Sequence, residues 1–157
     1  GLCWQGSPTH RGDILRSIPL THFAALAQVP SVKFISLQKG PGEEQIEANR
    51  DRIPLTLLDG LDVESSMVDT AAIMQHLDLI ITSDTSIAHL AGALGRPVWL
   101  LIPIASDWRW LENRSDSPWY PTMRLFRQRH WGNWAELFGR VRDALVLHVK
   151  EFRINDK

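Results

Sequence analysis

Residues 79–101 confine this chain to a small set of folds. Leu79 to Thr82 is a short, wholly apolar run of the kind buried in a parallel sheet. A polar turn, Ser83 to Ser86, leads into a helical stretch from Thr85 to Leu94, which Gly95 and Pro97 stop. Val98 to Ile102 is a second apolar strand. Two buried strands joined by a helix make a right-handed βαβ unit. The first amides of such a helix lack partners inside it, and its dipole adds partial positive charge. At the carboxyl end of a parallel strand that corner suits a phosphate. Asp84, Thr85 and Ser86 are therefore candidate ligands of a nucleotide diphosphate, with Asp84 also expected as the helix N-cap. The alternative is a well-capped helix and nothing more.

The rest of the chain repeats the alternation. Strands are expected at residues 1–5, 32–37, 55–58 and 124–127, and helices from Pro19, over 43–50, over 63–76 and over 134–152. The polar stretches at 6–17 and 106–121 read as loops. The pattern predicts an α/β, Rossmann-like doubly wound parallel sheet of about six strands, in the order 3-2-1-4-5-6. The ligand crevice then lies where strands 1 and 4 diverge. All 157 residues fit one nucleotide-sugar-binding domain, and a strand at the first residue suggests a piece of a longer two-lobe protein.

Composition removes other classes. A net charge of −1 gives no electrostatic case for nucleic acid. No apolar run approaches the roughly 20 residues that span a bilayer, and no secretory leader is visible, so a cytoplasmic location is expected. The single Cys3 excludes an internal disulfide. Neither a Gly-x-Gly-x-x-Gly nor a Gly-x-x-x-x-Gly-Lys-Ser/Thr motif is present, and no His/Cys/Asp set has metal-site spacing. Gly-x-Ser-x-Gly is absent as well. The expectation is no cofactor and no metal. Seven tryptophans, six of them from Trp99 onward, are expected to cover an interdomain face or a ligand.

Two further segments face the same crevice. The loop from Gly6 to Ser17 carries His10, Arg11 and Arg16, and guanidinium forks match phosphate geometry. Lys39, in Gln38-Lys39-Gly40, ends strand 2 within reach of a phosphate or ribose. Glu43 and Glu44 can accept ribose hydroxyls, a solvated helix start being the alternative. His89, between Ala88 and Leu90, reads on its own as a packed or capping histidine.

The run Asp84-Thr85-Ser86-Ile87-Ala88-His89-Leu90-Ala91-Gly92-Ala93-Leu94-Gly95-Arg96-Pro97 resembles the Asp-Thr-Gly-x-x-His-Leu-Ala-Ala-Ala-Leu-Gly-x-Pro segment of the lipopolysaccharide heptosyltransferases, family 9. Trp4-x-Gly6 through His10, then Arg16-Ser17-Ile18-Pro19-Leu20, resembles the matching loop of bacterial tetratricopeptide-repeat glycosyltransferases. Gln38-Lys39-Gly40 is similar, more distantly, to the C-terminal lobe of O-GlcNAc transferase. The resemblance implies the C-terminal, donor-binding lobe of a GT-B glycosyltransferase whose substrate is a nucleotide-sugar. It implies that Asp84, Thr85, Ser86 and His89 hold the donor diphosphate, and that Arg16 or Lys39 contacts phosphate. His10 would orient hydroxyls. It also implies an N-terminal lobe of the same polypeptide that forms the acceptor site, and peripheral membrane association through the acceptor. Ser86 stands where the heptosyltransferases usually have Gly, and its Cβ either crowds a phosphate oxygen or brings a hydroxyl to it. Two other readings remain: a non-catalytic scaffold lobe of a tetratricopeptide-repeat protein, and a sugar-nucleotide epimerase on the same fold. Donor base, sugar, acceptor and catalytic base are not read from these residues.

Overall fold

The structure is a computed structural model that describes residues 1–63 and 67–155. Strands β1 (Leu2–Cys3), β4 (Ile80–Ser83), β5 (Val98–Ile102) and β6 (Met123–Arg127) form one parallel sheet in the order β1-β4-β5-β6. Strands β2 (Phe34–Ile35) and β3 (Leu55–Thr56) form a separate parallel pair. A parallel bridge between Leu2 and Ser36, with the Leu37 amide donating to the Leu2 carbonyl at 2.8 Å, connects the two. The spatial sequence is thus β3-β2-β1-β4-β5-β6, the Rossmann order expected from the sequence.

Each buried strand sends successive side chains to opposite faces. On β5, Trp99 and Leu101 enter one core layer, while Val98, Leu100 and Ile102 enter the other. The first layer is roofed by helix α5 (Trp134–Asn155), whose Leu137, Phe138, Val141 and Leu145 are buried. The second is closed by α3 (Val68–Met74) and α4 (Ser86–Ala93) through Met74, Ile87, Ala88 and Ala91. Helices on both faces make the sheet doubly wound.

Three local differences from the sequence reading have physical causes. The helix after Pro19 is a 3-10 helix, Leu20–Gln28. Its buried residues Leu20, Phe23 and Leu26 recur every third position, and at three residues per turn they form one straight row. Phe23 in that row meets Phe138 edge-on at 4.7 Å between ring centroids. The loop at 6–17 contains a single helical turn, α1 (Asp13–Arg16). The 106–121 segment is anchored rather than wholly polar, because Trp110 is fully buried and Arg127 donates to the carbonyls of Trp110 and Leu111. Trp4, Trp99, Trp110 and Trp134 belong to the core, leaving Trp108, Trp119 and Trp131 exposed. The helix expected over 43–50 is observed as α2 (Gln45–Asn49) and that over 63–76 as α3, and residues 64–66 lie outside the described residues.

Candidate functional site

At the carboxyl ends of the strands, where connections leave β1 and β4 for opposite faces, three adjoining clefts form a continuous crevice. The middle one, of about 520 Å³, has Cys3 and Thr85 in its lining together with Gly6, Arg16, Lys39 and Ser86. A second, of about 590 Å³, is lined by His10, Arg16, Asp84, His89, Asp107 and Arg109. A third, of about 460 Å³, includes Lys39, Glu43, Leu57 and Asp59. Arg16 lines both the first and second clefts, and Lys39 both the first and third. The two cations therefore mark the two ends of the middle cleft.

The α4 end of this cleft is open. Thr85 occupies the N-cap position with extended backbone, and no side chain caps the helix. Asp84 is not the cap expected for it: its carboxylate accepts the Trp110 indole N–H at 2.8 Å instead. That bond satisfies a buried indole, which a cap would leave without an acceptor. Thr85 is buried, with its hydroxyl beside those of Thr82 at 3.3 Å and Cys3 Sγ at 3.7 Å. Ser86 is exposed on the cleft wall, and its φ is not positive, so the position does not call for glycine. Burial pushes the Cys3 thiol up, with bonds to Thr85 and Thr82 opposing, so the cleft floor stays neutral.

The loop after β1 closes on itself. Arg16 Nε reaches Asp13 Oδ1 at 3.2 Å, and Asp13 Oδ2 accepts the Ser17 hydroxyl at 2.9 Å. A Cβ on Gly6 would sit 2.6 Å from Asp13 Oδ1 and 2.7 Å from Arg16 Nη2. Only glycine at position 6 lets this pair lie against the end of β1. His10 is exposed and accepts the Gly12 amide at Nδ1, 3.1 Å away.

Lys39 is held by the next segment, where Nζ donates to the Leu61 carbonyl at 3.0 Å and to the Asp62 carbonyl. Asp62, buried, receives the Asp69 amide at 2.9 Å and the Thr70 hydroxyl, fastening the start of α3 beneath the lysine. Burial opposes its ionisation, but the bonds from Thr70 and Asp69 outweigh that and hold the carboxyl below the usual carboxylate range. Glu43 lines the third cleft, while Glu44 turns back to accept the Gly42 amide at 2.7 Å.

The pivotal residue that sequence reading passed over is Gln38. Its Oε1 accepts the amides of Trp4 and Gln5, each at 3.0 Å, and its Nε2 donates to the Gln5 and Pro41 carbonyls. One buried amide side chain thereby replaces the strand ladder between the ends of β1 and β2. Asp107 and Arg109 of the second cleft were also read only as part of a polar loop. Burial works against ionisation of Asp107, yet bonds from the Arg109 amide and guanidinium, with His89 nearby, keep its carboxyl low. No group of three or more His, Cys, Asp or Glu arranged to hold a metal ion occurs among the described residues.

A fold with helices on both faces of a parallel sheet, and a crevice at its switch point, is that of a Rossmann-like domain, consistent with one half of a GT-B fold. Residues 19–101, just over half the chain, match the family model for glycosyltransferase family 9 (heptosyltransferase). The chain belongs to that glycosyltransferase family. The matched segment contains Lys39, Asp84, Thr85, Ser86 and His89 and stops short of His10 and Arg16. The chain is also similar to protein FlbA of Caulobacter vibrioides, 31% identical over 147 residues. The alignment covers 92% of this chain and 24% of FlbA, so the chain spans about a quarter of that relative's length. No solved structure matches.

Proposed function

We propose that this chain is the donor-binding, C-terminal lobe of a two-lobe GT-B glycosyltransferase, seating the diphosphate of a nucleotide-sugar in the middle cleft without a metal ion. One observation carries the reading: Arg16, Lys39, Ser86 and the uncapped first turn of α4 converge on a single cleft where strand order reverses. Glycosyl transfer breaks the bond between the sugar and the diphosphate, and negative charge gathers on the departing phosphate. The amides of Ser86 and Ile87, the Ser86 hydroxyl and the two cations are placed to offset that charge. Arg16 and Lys39 exchange their present partners, Asp13 and two backbone carbonyls, for phosphate oxygens. The third cleft, beside Glu43, takes the ribose and base. Glu44 joins it by releasing the Gly42 amide. The second cleft, with His10, Asp84 and His89, takes the sugar and the distal phosphate that carries it, next to Arg16. An N-terminal lobe of the same polypeptide supplies the acceptor site and the catalytic base, and the isolated lobe binds donor without transferring it. An amphiphilic acceptor would bring the enzyme to a membrane surface peripherally, since no helix among the described residues is long and apolar enough to cross one.

A labelled panel of UDP-, ADP- and GDP-sugars, with a CMP-sugar as the monophosphate control, tests this on the full-length protein. The expected result is binding and turnover of at least one diphosphate donor. Failure of every donor to bind would remove the reading.

A second reading is a non-catalytic lobe, as in a scaffold built on tetratricopeptide repeats. It is favoured by the fact that both cations already have partners within the chain. Donor binding that persists with neither transfer nor hydrolysis in the full-length protein would select it. An epimerase on the same fold ranks below both; loss of the C2 proton of a bound donor to solvent would be its signature.

A further inference from the structure

His89 is framed by two aromatic rings and a carboxylate. Its ring stacks on the fully buried Trp110, with 5.4 Å between centroids and 26° between planes. Tyr120 meets it edge-on at 5.8 Å. The phenol oxygen lies 3.0 Å from Nδ1, and Asp84 Oδ1 lies 3.8 Å from Nε2. The other Asp84 oxygen is bound by the same indole that stacks beneath the imidazole. Trp110 thus fixes the plane of the ring and the position of the carboxylate together.

The seat for Tyr120 is cut into α4. A Cβ on Gly92 would lie 2.5 Å from Tyr120 Cγ and 2.7 Å from Cδ1, so the phenol ring lies against the bare helix backbone. From there its hydroxyl reaches the side chain one turn back. The Tyr120 amide donates to Ser117 Oγ at 3.3 Å, and its carbonyl accepts the Met123 amide at 3.0 Å, which pins the backbone on both sides.

The proton on the neutral imidazole follows from its partners. A carboxylate only accepts, so the nitrogen facing Asp84 is favoured as N–H, and the opposite nitrogen accepts the Tyr120 hydroxyl. At 3.8 Å the Asp84 contact is too long for a hydrogen bond. Nε2 thus has no hydrogen-bond partner among the described residues, and both His89 and Asp84 line the second cleft. We propose that Tyr120 is a positioning residue: acting through His89, it presents a fixed Nε2–H donor to an oxygen of the molecule bound in the second cleft. The identity of that molecule as a nucleotide-sugar rests on the function proposed above; the fixed tautomer does not.

The experiment is ring ¹⁵N NMR of the neutral His89 imidazole at alkaline pH, in the wild-type chain and in Tyr120→Phe and Gly92→Ala. It is paired with nucleoside-diphosphate titration of the same samples. Wild type should show protonated Nε2. Tyr120→Phe, which keeps the ring and removes only the hydroxyl, should give a tautomer mixture at nearly unchanged melting temperature. Its diphosphate affinity should be about fivefold weaker. Gly92→Ala, by pushing the tyrosine off its seat, should reproduce the mixture. Protonated Nδ1 in wild type, or a ring signal unmoved by Tyr120→Phe, overturns the proposal whatever binds. The expected tautomers with no diphosphate bound uphold the positioning role, and only the nucleotide reading of the crevice then falls.

Discussion

The two halves of the sheet are built differently. Strands β4, β5 and β6 pair over four or five residues each, and on β5 every side chain is buried. Strands β1, β2 and β3 pair over two residues, and single side chains fasten what the ladders leave loose. Gln38 ties β1 to β2, the Trp4 indole donates to the Gly42 carbonyl at 3.1 Å, and Asp62 fastens α3 under Lys39. The long half is a scaffold held by burial and by backbone hydrogen bonds. The short half carries Arg16 and Lys39, and its geometry depends on a few polar contacts. Segments of that kind open at low free-energy cost, which suits the exchange of partners for phosphate oxygens that the proposed function asks of Arg16 and Lys39.

The sharpest way to break this contrast is to injure each half and ask whether the damage spreads. Leu100→Ala, at a fully buried site in β5, should cost about 3–4 kcal/mol and lower the melting temperature of the whole domain. Gln38→Ala leaves the buried amide of Trp4 without its acceptor and should cost about 2 kcal/mol. Hydrogen exchange should then quicken at residues 34–37 and 55–56 while β4 to β6 stay protected. Equal loss of protection in both halves would show that they are one cooperative unit and that the contrast is only geometric.

Asp62 refines the comparison through pH. Its carboxyl is held low in the folded chain, so its stabilising contribution is present above the ordinary carboxylate range and is lost as pH falls through the folded value. Asp62→Asn should therefore be less stable by about 1 kcal/mol at neutral pH and should lose less stability on acidification from about pH 5 to about pH 2. Parallel acid profiles for the two proteins would argue against the carboxylate as the fastener. The smallest stability effect is expected at Arg16, a partly exposed pair with Asp13 that keeps its bond from Ser17. Arg16→Ala should cost about 1 kcal/mol or less.

Much of the scaffold was legible because burial writes itself into sequence. Residues 79–81 and 98–102 carry unbroken apolar runs, and the Gly95 and Pro97 stop lies where the sequence marks it. The strand order agreed with the Rossmann arrangement expected for alternating strands and helices. The site was legible only as a set of loops. His10, Arg16, Lys39, Ser86 and His89 all fall on the crevice, but their partners are set by tertiary contacts that have no period. Asp84 has the composition of an N-cap, and nothing local reveals that an indole 26 residues away takes its carboxylate. Gln38 is one polar residue after a strand, indistinguishable in sequence from a solvated one. Trp110 lies in a stretch that reads as a polar loop and is nonetheless fully buried. The 3-10 form of residues 20–28 was not legible, because Ala24 and Ala27 beside Leu20, Phe23 and Leu26 fit an ordinary helical face equally well.

Titration calorimetry of nucleoside diphosphates against the wild-type chain, Arg16→Ala and Lys39→Ala tests the central claim most directly, with the matching monophosphates as controls. The account predicts that one diphosphate binds the wild type more tightly than its monophosphate. Each substitution should weaken the diphosphate about tenfold, in line with the loss of a charged hydrogen bond, while changing the monophosphate less. A wild-type chain that prefers no diphosphate, or a preference that survives both substitutions unchanged, would contradict it.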